Sequence, residues 1–551
     1  MSFEKNSKLF FSFFFTLYLI IGLSIYQDFG VGIEEHFQRR NGFYWLKYVF
    51  SFSGFENFNL LINTKYKEIL SSSPDLPDPV FFNFYGIVFD LPLAFIETFF
   101  EINSSKAYFE LRHLFNFLIF FVSSIFFYKI LKNRFLDEKF ALMGSAFFIF
   151  TPRIFGDSFH NNKDILFLSL LTIAIYYLFK LIDKFNYGNL FLFCIFGALA
   201  TSTRIMGIYL PILLISFYLL EYLSNKKNLK SFLSDSLKVF FLFIIFLYMH
   251  YPYMWNLNIL EFKKWFSSFF YYMDLKILFN GDYYNIKYLP RSYLPTWIFI
   301  STPTYVLVLF IFGFSILIRR FFLRALRIKT NLSLTNDFWT SNSEMKDLFI
   351  LISLLSFFCY AIFLNVAMLS GWRHFYFLHV FIIYIFVFAL KYFYINFRNQ
   401  INIKTLIYIN LIVITFLLHE LYKYHPFQSL YFNNLVSEKY VKKFQVDSPS
   451  LSRSDALKFV AKDTQSNKIY IANTSWTPLY NGKDMLIEED KKKFVFVGQE
   501  LQLAEYIYTN NIYKSNEKFN KKYKIPINFK KIIEYKKDNF EIYSIFKKKI
   551  N

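Results

Sequence analysis

QDFGVGIEEHFQRRNGFYWLKY, residues 27–48, follows the first long apolar run directly. It puts Asp28, Glu34 and Glu35 within a few residues of a bilayer surface, beside His36, Arg39 and Arg40. A plain connecting loop needs no such density of ionisable groups, so the stretch points to chemistry at a membrane face. The alternative is a solvated loop whose charges only keep it out of lipid.

Outward from that stretch, the 551 residues are 55% hydrophobic and 23% aromatic, with a mean hydropathy of +0.31. Apolar runs near the ~20 residues that cross a bilayer recur at 9–26, 111–128, 140–151, 165–179, 190–203, 205–223, 239–249, 302–318, 348–370, 375–390 and 405–421. These predict a mainly α, polytopic helical bundle of about eleven spans, several shorter than a full crossing. No small-residue cleavage site follows the first run, which therefore reads as a retained span. The apolar segment 81–100 contains Asp90 and Glu97 and is flanked and broken by Pro79 and Pro92. It reads as an interfacial or re-entrant part of a long first loop, 27–110.

Composition excludes other classes. The net charge of +21 lies in loops and in a Lys-rich tail, where topology explains it better than a nucleic-acid partner does. The 80 Phe and 42 Tyr, together with many Lys, Asn and Ile, reflect AT-rich coding and carry no functional reading. Cys194 and Cys359 sit in apolar runs as inert packing residues, too few and too buried for a disulfide framework or a zinc site. No Gly-rich phosphate loop or nucleotide motif occurs, which disfavours ATP or a nucleotide sugar as substrate.

Threading the spans alternately gathers Lys129, Lys132, Arg134, Lys226, Lys227, Lys230, Arg319, Arg320, Arg324, Arg327, Arg398 and Lys404 on one side, the cytoplasm by the positive-inside rule. The N-terminus is then cytoplasmic. The opposite face receives the acidic first loop, the turn 151–164 (TPRIFGDSFHNNKD), Arg204, His250, the loop 251–303, the GWRH of 371–374 and everything after Leu421. The run YPYMW, 251–255, fits an interfacial aromatic belt. From about Tyr440 long apolar runs stop, and helix-like LSRSDALKFVAKD alternates with strand-like KIYIANT, KFVFVG and FEIYSIF. The chain thus divides into a multi-spanning module, 1–435, and a small soluble α/β tail, 436–551.

Three outer-face clusters carry candidate chemistry. Glu34 and Glu35 can include a general base that takes a proton from an acceptor hydroxyl. In the turn 151–164, Arg153, Asp157, His160, Asn161, Lys163 and Asp164 look like a site that holds and orients a phosphate, against a plain helix N-cap by Asp164. Arg373 and His374 form a positive pair at an outer span end, against the positive-inside bias, although Arg373 can also snorkel. Carboxylates and cations at one membrane level suit displacement at a carbon whose leaving group is a lipid-anchored phosphate.

The ordered motifs resemble those of the GT-C superfamily of polyprenyl-phosphate-sugar glycosyltransferases, specifically glycosyltransferase family 39 with its protein O-mannosyltransferases and aminoarabinose transferases. YQDFGVGIEEHFQRRNG is similar to that family's first outer loop, PRIFGDSFHNNKDI to the bacterial turn before the fourth span, and GWRHFYF and HPFQSLYFN (425–433) to later outer-face motifs. The resemblance covers roughly 10–435. It implies that Glu34 stands at the family's catalytic Asp position with Glu35 adjacent, so the chain departs from the family there. A local shift absorbs the added methylene, or Asp28 is the working carboxylate, or activity is altered or lost. It further implies Arg153, Lys163, Asp164, Arg204, Arg373 and His374 around the donor phosphate, with His160, Asn161, His425, Gln428 and Asn433 as other outer-face candidates. No cofactor is certain from the sequence. A divalent metal, used by some relatives and not by others, stays open.

Two functions of different class follow. One is a glycosyltransferase of the bacterial inner membrane that moves a sugar from a polyprenyl-phosphate carrier to an acceptor protein, lipid or glycan on the extracytoplasmic face. The other is a transporter or flippase of lipid-linked sugars, which would place ionisable or helix-breaking positions near the middle of several spans. A lipid-linked glycan ligase or polymerase shares the donor but would lack the early Glu-Glu loop.

Overall fold

The structure, a computed structural model, describes residues 2–72, 76–79, 85–224, 226–256, 259–268, 274–326, 338–364, 366–369, 371–445, 447, 449–510, 512, 523–538 and 540–549. Arg327, Ser370 and residues 81–84 of the interrupted apolar segment lie outside these. In chain order come α1 (Ser2–Ile25), α2 (Glu35–Phe50), α3 (Glu56–Ser72), α4 (Asp90–Phe99), α5 (Ser105–Phe135), α6 (Glu138–Phe150), α7 (Pro152–His160), α8 (Asp164–Asp183), α9 (Tyr187–Thr203), α10 (Tyr209–Leu223) and α11 (Leu229–Met249). They are followed by α12 (Ile259–Ser268), the hairpin β1 (Lys276–Phe279) and β2 (Asp282–Asn285), α13 (Tyr293–Ser301), α14 (Thr304–Ala325), α15 (Asn342–Phe363), α16 (Leu378–Asn396) and α17 (Ile403–Tyr424). Nine helices among the described residues are long and apolar enough to cross a membrane. With the 13-residue α6 and the 17-residue α9 they account for all eleven apolar runs. The chain is a multi-pass membrane protein.

The bundle has two polar ends and an apolar middle. At one end Asp347, fully buried, accepts two hydrogen bonds from Arg134 (2.7 Å each), one from Arg320 (2.7 Å) and one from the Tyr384 hydroxyl (2.8 Å), tying α5, α14, α15 and α16 together. Five helices that start at this end carry capping side chains, Asp137, Asn186, Asn228, Ser341 and Asn402. Helices that start at the other end lack them. Two of these, α10 and α16, are wound in through the 3-10 turns Ile205–Ile208 and Arg373–Phe375, which leaves the side chains there free for other work.

Two local expectations change. The turn expected at 151–164 is largely α7: Pro152 drives Thr151 into an extended conformation (ψ 116°) and then sits at a helix start that Pro tolerates. Asp164 is the first residue of α8 and not its cap, because its carboxylate is engaged elsewhere. Asp90 and Glu97 fall on the buried face of α4, seven residues and so about two turns apart. Each meets a cation: Arg112 lies 3.3 Å from Asp90, and Arg39 Nε donates to both Glu97 oxygens at 3.0 and 3.1 Å. Cys194 is buried as expected, but Cys359 is exposed on α15.

The tail comprises α18 (Glu438–Val441), α19 (Ser452–Asp463), β3 (Ile469–Asn473), α20 (Glu488–Lys493), β4 (Phe494–Phe496), β5 (Tyr506–Asn510), β6 (Phe529–Lys537) and β7 (Phe540–Lys548). Its five strands run in the order β4-β3-β5-β7-β6, with β3 parallel to β4 and β5, and β7 antiparallel to β5 and β6. This mixed sheet is the small α/β tail that the strand-like segments predict.

The tail is fastened to the first loop rather than hung from the bundle. Ile33 N–H donates to Pro449 O (3.0 Å). Arg453, with no exposed surface, donates to Ser450 O (2.8 Å), Pro478 O (2.7 Å) and Val31 O (2.9 Å). His36 Nε2 lies 2.7 Å from an Asp484 oxygen, and the Ser105 hydroxyl donates to Asp484 O at 3.0 Å. The bonds from Val31, Ile33, His36 and Ser105 to the tail span hundreds of residues of sequence, so the loop ahead of Glu34 owes its shape to the other terminus.

Candidate functional site

Glu34 stands at the N-cap position of α2 (φ −89°, ψ −16°) and makes no capping bond with its own side chain. Its carboxylate is free to reach Arg373, whose Nη2 donates to it. Arg373 Nε lies 3.8 Å from Asp164, and Asp164 in turn accepts from Arg204. The result is an alternating row, Glu34, Arg373, Asp164, Arg204, assembled from the first loop, the turn ahead of α16, the start of α8 and the end of α9. Lys163 adds a third cation; its ammonium lies 3.5 Å from the Tyr85 ring centroid and makes no ion pair or hydrogen bond among the described residues. Three cations thus face two carboxylates, a surplus of one positive charge that suits an anion.

Burial would raise the Glu34 carboxyl, but the nearby Arg373 and Lys163 charges outweigh it and hold Glu34 below the usual carboxylate range. Burial opposes charge on Arg373 too, yet Glu34 and Asp164 keep it firmly protonated. His374 goes the other way. Burial and the repulsion of Arg204 push it down to about 3, so it is neutral at physiological pH and not the cation expected.

Glu35 has a different job from its neighbour. It is 2% exposed, takes the Gly32 N–H at 2.7 Å and lies 3.2 Å from His113 Nε2. Both interactions fix the loop that presents Glu34, whose side chain keeps 39% of its surface open. Asp28 is held apart, 2.9 Å from His425 Nε2, which receives a neighbour in Gln428 at its other ring nitrogen (3.0 Å). Between Asp28 and α7 the Phe29 ring stacks on Phe159 at 4.4 Å.

A cavity of about 650 Å³, part of it open to solvent, has Glu34, Glu35, Arg153, Asp157, His160, Asn161 and Arg373 in its wall, seven of the residues singled out above. Lys163, Asp164, Arg204 and His374 stand beside it and connect through Arg373. Arg153 is sandwiched between Trp297 and Phe432 (5.0 Å to each ring) and donates to Tyr431 O at 2.8 Å. Asn161 bridges Asp157 (3.2 Å) and Asp164 (3.0 Å) and accepts the Asp164 N–H (3.0 Å); His160 lies 3.4 Å from Asp157. Gln428 and Asn433 are spent elsewhere. Gln428 donates to Leu421 O at the end of α17, and Asn433 to Phe299 O and Thr302 O at the end of α13.

The cavity also contains residues that sequence reasoning missed as site residues: Gln38, Trp297, Tyr376, Gln445, Asp447 and Pro449. The last three come from the tail, where nothing in the sequence marks them. Asp447 sits at φ 52°, binds the Leu451 N–H (3.0 Å) and the Ser452 hydroxyl, and is pushed up to about 6 by burial. Among the described residues no group of three or more His, Cys, Asp or Glu is placed to hold a metal ion.

Residues 91–253 match a family model described as dolichyl-phosphate-mannose-protein mannosyltransferase. The match runs from α4 to just past α11. It takes in Arg153, Lys163, Asp164 and Arg204 and stops short of Glu34 and Arg373. No curated protein matches the chain. Together with the apolar helices, the match supports a membrane glycosyltransferase of the GT-C superfamily that uses a lipid-linked sugar.

Proposed function

We propose that this chain transfers a sugar from a polyprenyl-phosphate carrier to an acceptor on the extracytoplasmic face of a bacterial inner membrane, with Glu34 as general base. The observation that carries this reading is the row Glu34, Arg373, Asp164, Arg204 with Lys163 alongside. In the reaction an acceptor oxygen attacks the anomeric carbon and its proton passes to Glu34. The carbon–oxygen bond to phosphate breaks, and the electron pair leaves with the phosphate, whose growing charge Lys163 and Arg373 meet. Module 1–435 supplies these groups, and the tail from 436 supplies part of the cavity wall. The Lys and Arg bias of the opposite loops supports a cytoplasmic N-terminus and an extracytoplasmic tail.

The acidic and basic residues gather at the ends of the spans and not in their middles, which supports an enzyme over a transporter. The test is to incubate purified protein with a panel of polyprenyl-phosphate sugars, beginning with mannose as the matched family's description suggests, and to follow released polyprenyl phosphate. Turnover with one donor, abolished by Glu34→Gln, is the expected result. No release with any donor, together with movement of a sugar lipid across a vesicle membrane, would overturn the reading in favour of a transporter.

A further inference from the structure

Helix α2 separates two cavities. Glu35 and Gln38 face the Glu34 cavity, whereas His36 and Arg39, one position on in the helical repeat, face a second cavity of about 480 Å³, part of it open to solvent. This second cavity lies between α2, the end of α3 and the tail's turn Leu479–Met485. Its wall combines apolar and polar parts: Ile69, Leu76 and the rings of Tyr108 and Tyr480 on one hand, and His36, Arg39, Asn481, Lys483 and Asp484 on the other.

The polar groups are unevenly satisfied. Arg39 is neutralised by Glu97, and its guanidinium lies 3.7 Å from the Tyr108 centroid. His36 Nε2 is matched by Asp484, but its Nδ1 has no partner among the described residues although the side chain is 8% exposed. Asn481 is 4% exposed, and its amide makes no hydrogen bond among the described residues. The Lys483 side chain makes no hydrogen bond or ion pair among them either. A buried imidazole nitrogen left without a partner costs free energy unless something fills the cavity and bonds to it, and the Asn481 amide is free to join such a contact.

We propose that this cavity binds a sugar carrying an acidic group. A sugar ring has apolar C–H faces that suit the tyrosine rings and aliphatic side chains, and a rim of hydroxyls that both donate and accept. Asp484 takes hydroxyl hydrogens, and the Asn481 amide and His36 Nδ1 complete the rim. Lys483, whose ammonium makes no ion pair among the described residues, is the cation placed to meet one acidic group on the ligand. Phosphate and carboxylate share that chemistry. The site rests on its own geometry and not on the role of Glu34.

The experiment uses the full-length protein in lipid nanodiscs and titrates glucose 6-phosphate, glucuronate, glucose and inorganic phosphate by calorimetry. Both acidic sugars should bind at least tenfold more tightly than glucose and inorganic phosphate, and the tighter of the two names the acidic group. Lys483→Ala and Asn481→Ala should each weaken binding about tenfold while the thermal transition stays in place. Glu34→Gln and Arg373→Ala should leave binding unchanged. Loss of binding in those two, with Lys483→Ala and Asn481→Ala still binding normally, would put the sugar in the Glu34 cavity and overturn the proposal. Equal binding of inorganic phosphate would reduce it to a plain anion site, and no binding of either acidic sugar would refute it outright.

Discussion

Gly30→Ala offers a sharp test of how Glu34 is positioned. A Cβ at residue 30 would lie 2.3 Å from the Leu451 carbonyl oxygen and 3.1 Å from its carbon, where ordinary contact begins at 3.4 Å. Both atoms are backbone, so neither can swing aside. The Leu451 side of the contact is held by Asp447 on its N–H and by Arg453 on the preceding carbonyl. The first loop must therefore give by about 1 Å, four residues ahead of the proposed base. A misplacement of ~1 Å costs on the order of 10²-fold in rate when a reacting group must meet its substrate in one geometry. Gly54→Ala is the control, because nothing lies within 4 Å of a Cβ there. Purified variants would be compared for release of polyprenyl phosphate at saturating donor, with donor affinity and thermal transition measured in parallel. Gly30→Ala should lose about 100-fold in turnover with donor affinity intact, and Gly54→Ala should behave as the parent. Parental turnover in Gly30→Ala, with the tail still folded, would refute the idea that the tail seats the catalytic loop.

Four further outcomes follow from the same geometry. Glu34→Gln should abolish most turnover while donor still binds, Glu34→Asp should retain activity, and Asp28→Asn, on a carboxylate paired with His425, should stay close to parental in the same release assay. Lys163→Ala and Arg373→Ala should each weaken donor binding by ~1.5 to 3 kcal/mol, read by calorimetry with a donor analogue. Because Glu34 is held below the usual carboxylate range, kcat/KM should persist into acid beyond the pH at which an ordinary carboxyl protonates and fall as Glu34 protonates; Arg373→Gln removes the main lowering charge and should move that acid limb upward in a pH–rate profile. Arg453→Ala frees the Val31 carbonyl and should slow turnover, and guanidinium in the buffer should restore part of it, which a merely unfolded tail would not allow.

The bundle was legible because lipid leaves the backbone no partner but itself, so each span had to be a long apolar run. All eleven runs are helices, α6 and α9 included, although neither meets the length of a full crossing. The charged clusters were legible at the level of which residue types gather at one end. Their division of labour was not. Glu34 and Glu35 are adjacent and chemically alike, and only the fold brings His113 from α5 to one and Arg373 to the other. Asn433 and Gln428 looked like site residues, but they close helix ends, a role that depends on where α13 and α17 stop. The tail was the largest omission. Arg453 lies in a stretch that reads as an ordinary solvated helix, and its three carbonyl partners come from residues 31, 450 and 478.

The ion pair between Glu34 and Arg373 bears on the order of events. A carboxylate that shares its charge with a guanidinium is a poor base, because the partner stabilises the form that has yet to take a proton. An arriving donor phosphate competes for the same guanidinium, and each hydrogen bond it takes leaves Glu34 more basic. Asp164, itself fixed by Arg204, holds Arg373 from the far side, so it turns between two anions rather than leaving the site. The base is thereby weakest when the donor is absent and strengthens as the donor binds. In the proposed reaction, proton abstraction from the acceptor is thus tied to a loaded site, through one arginine that would serve the leaving group and restrain the base.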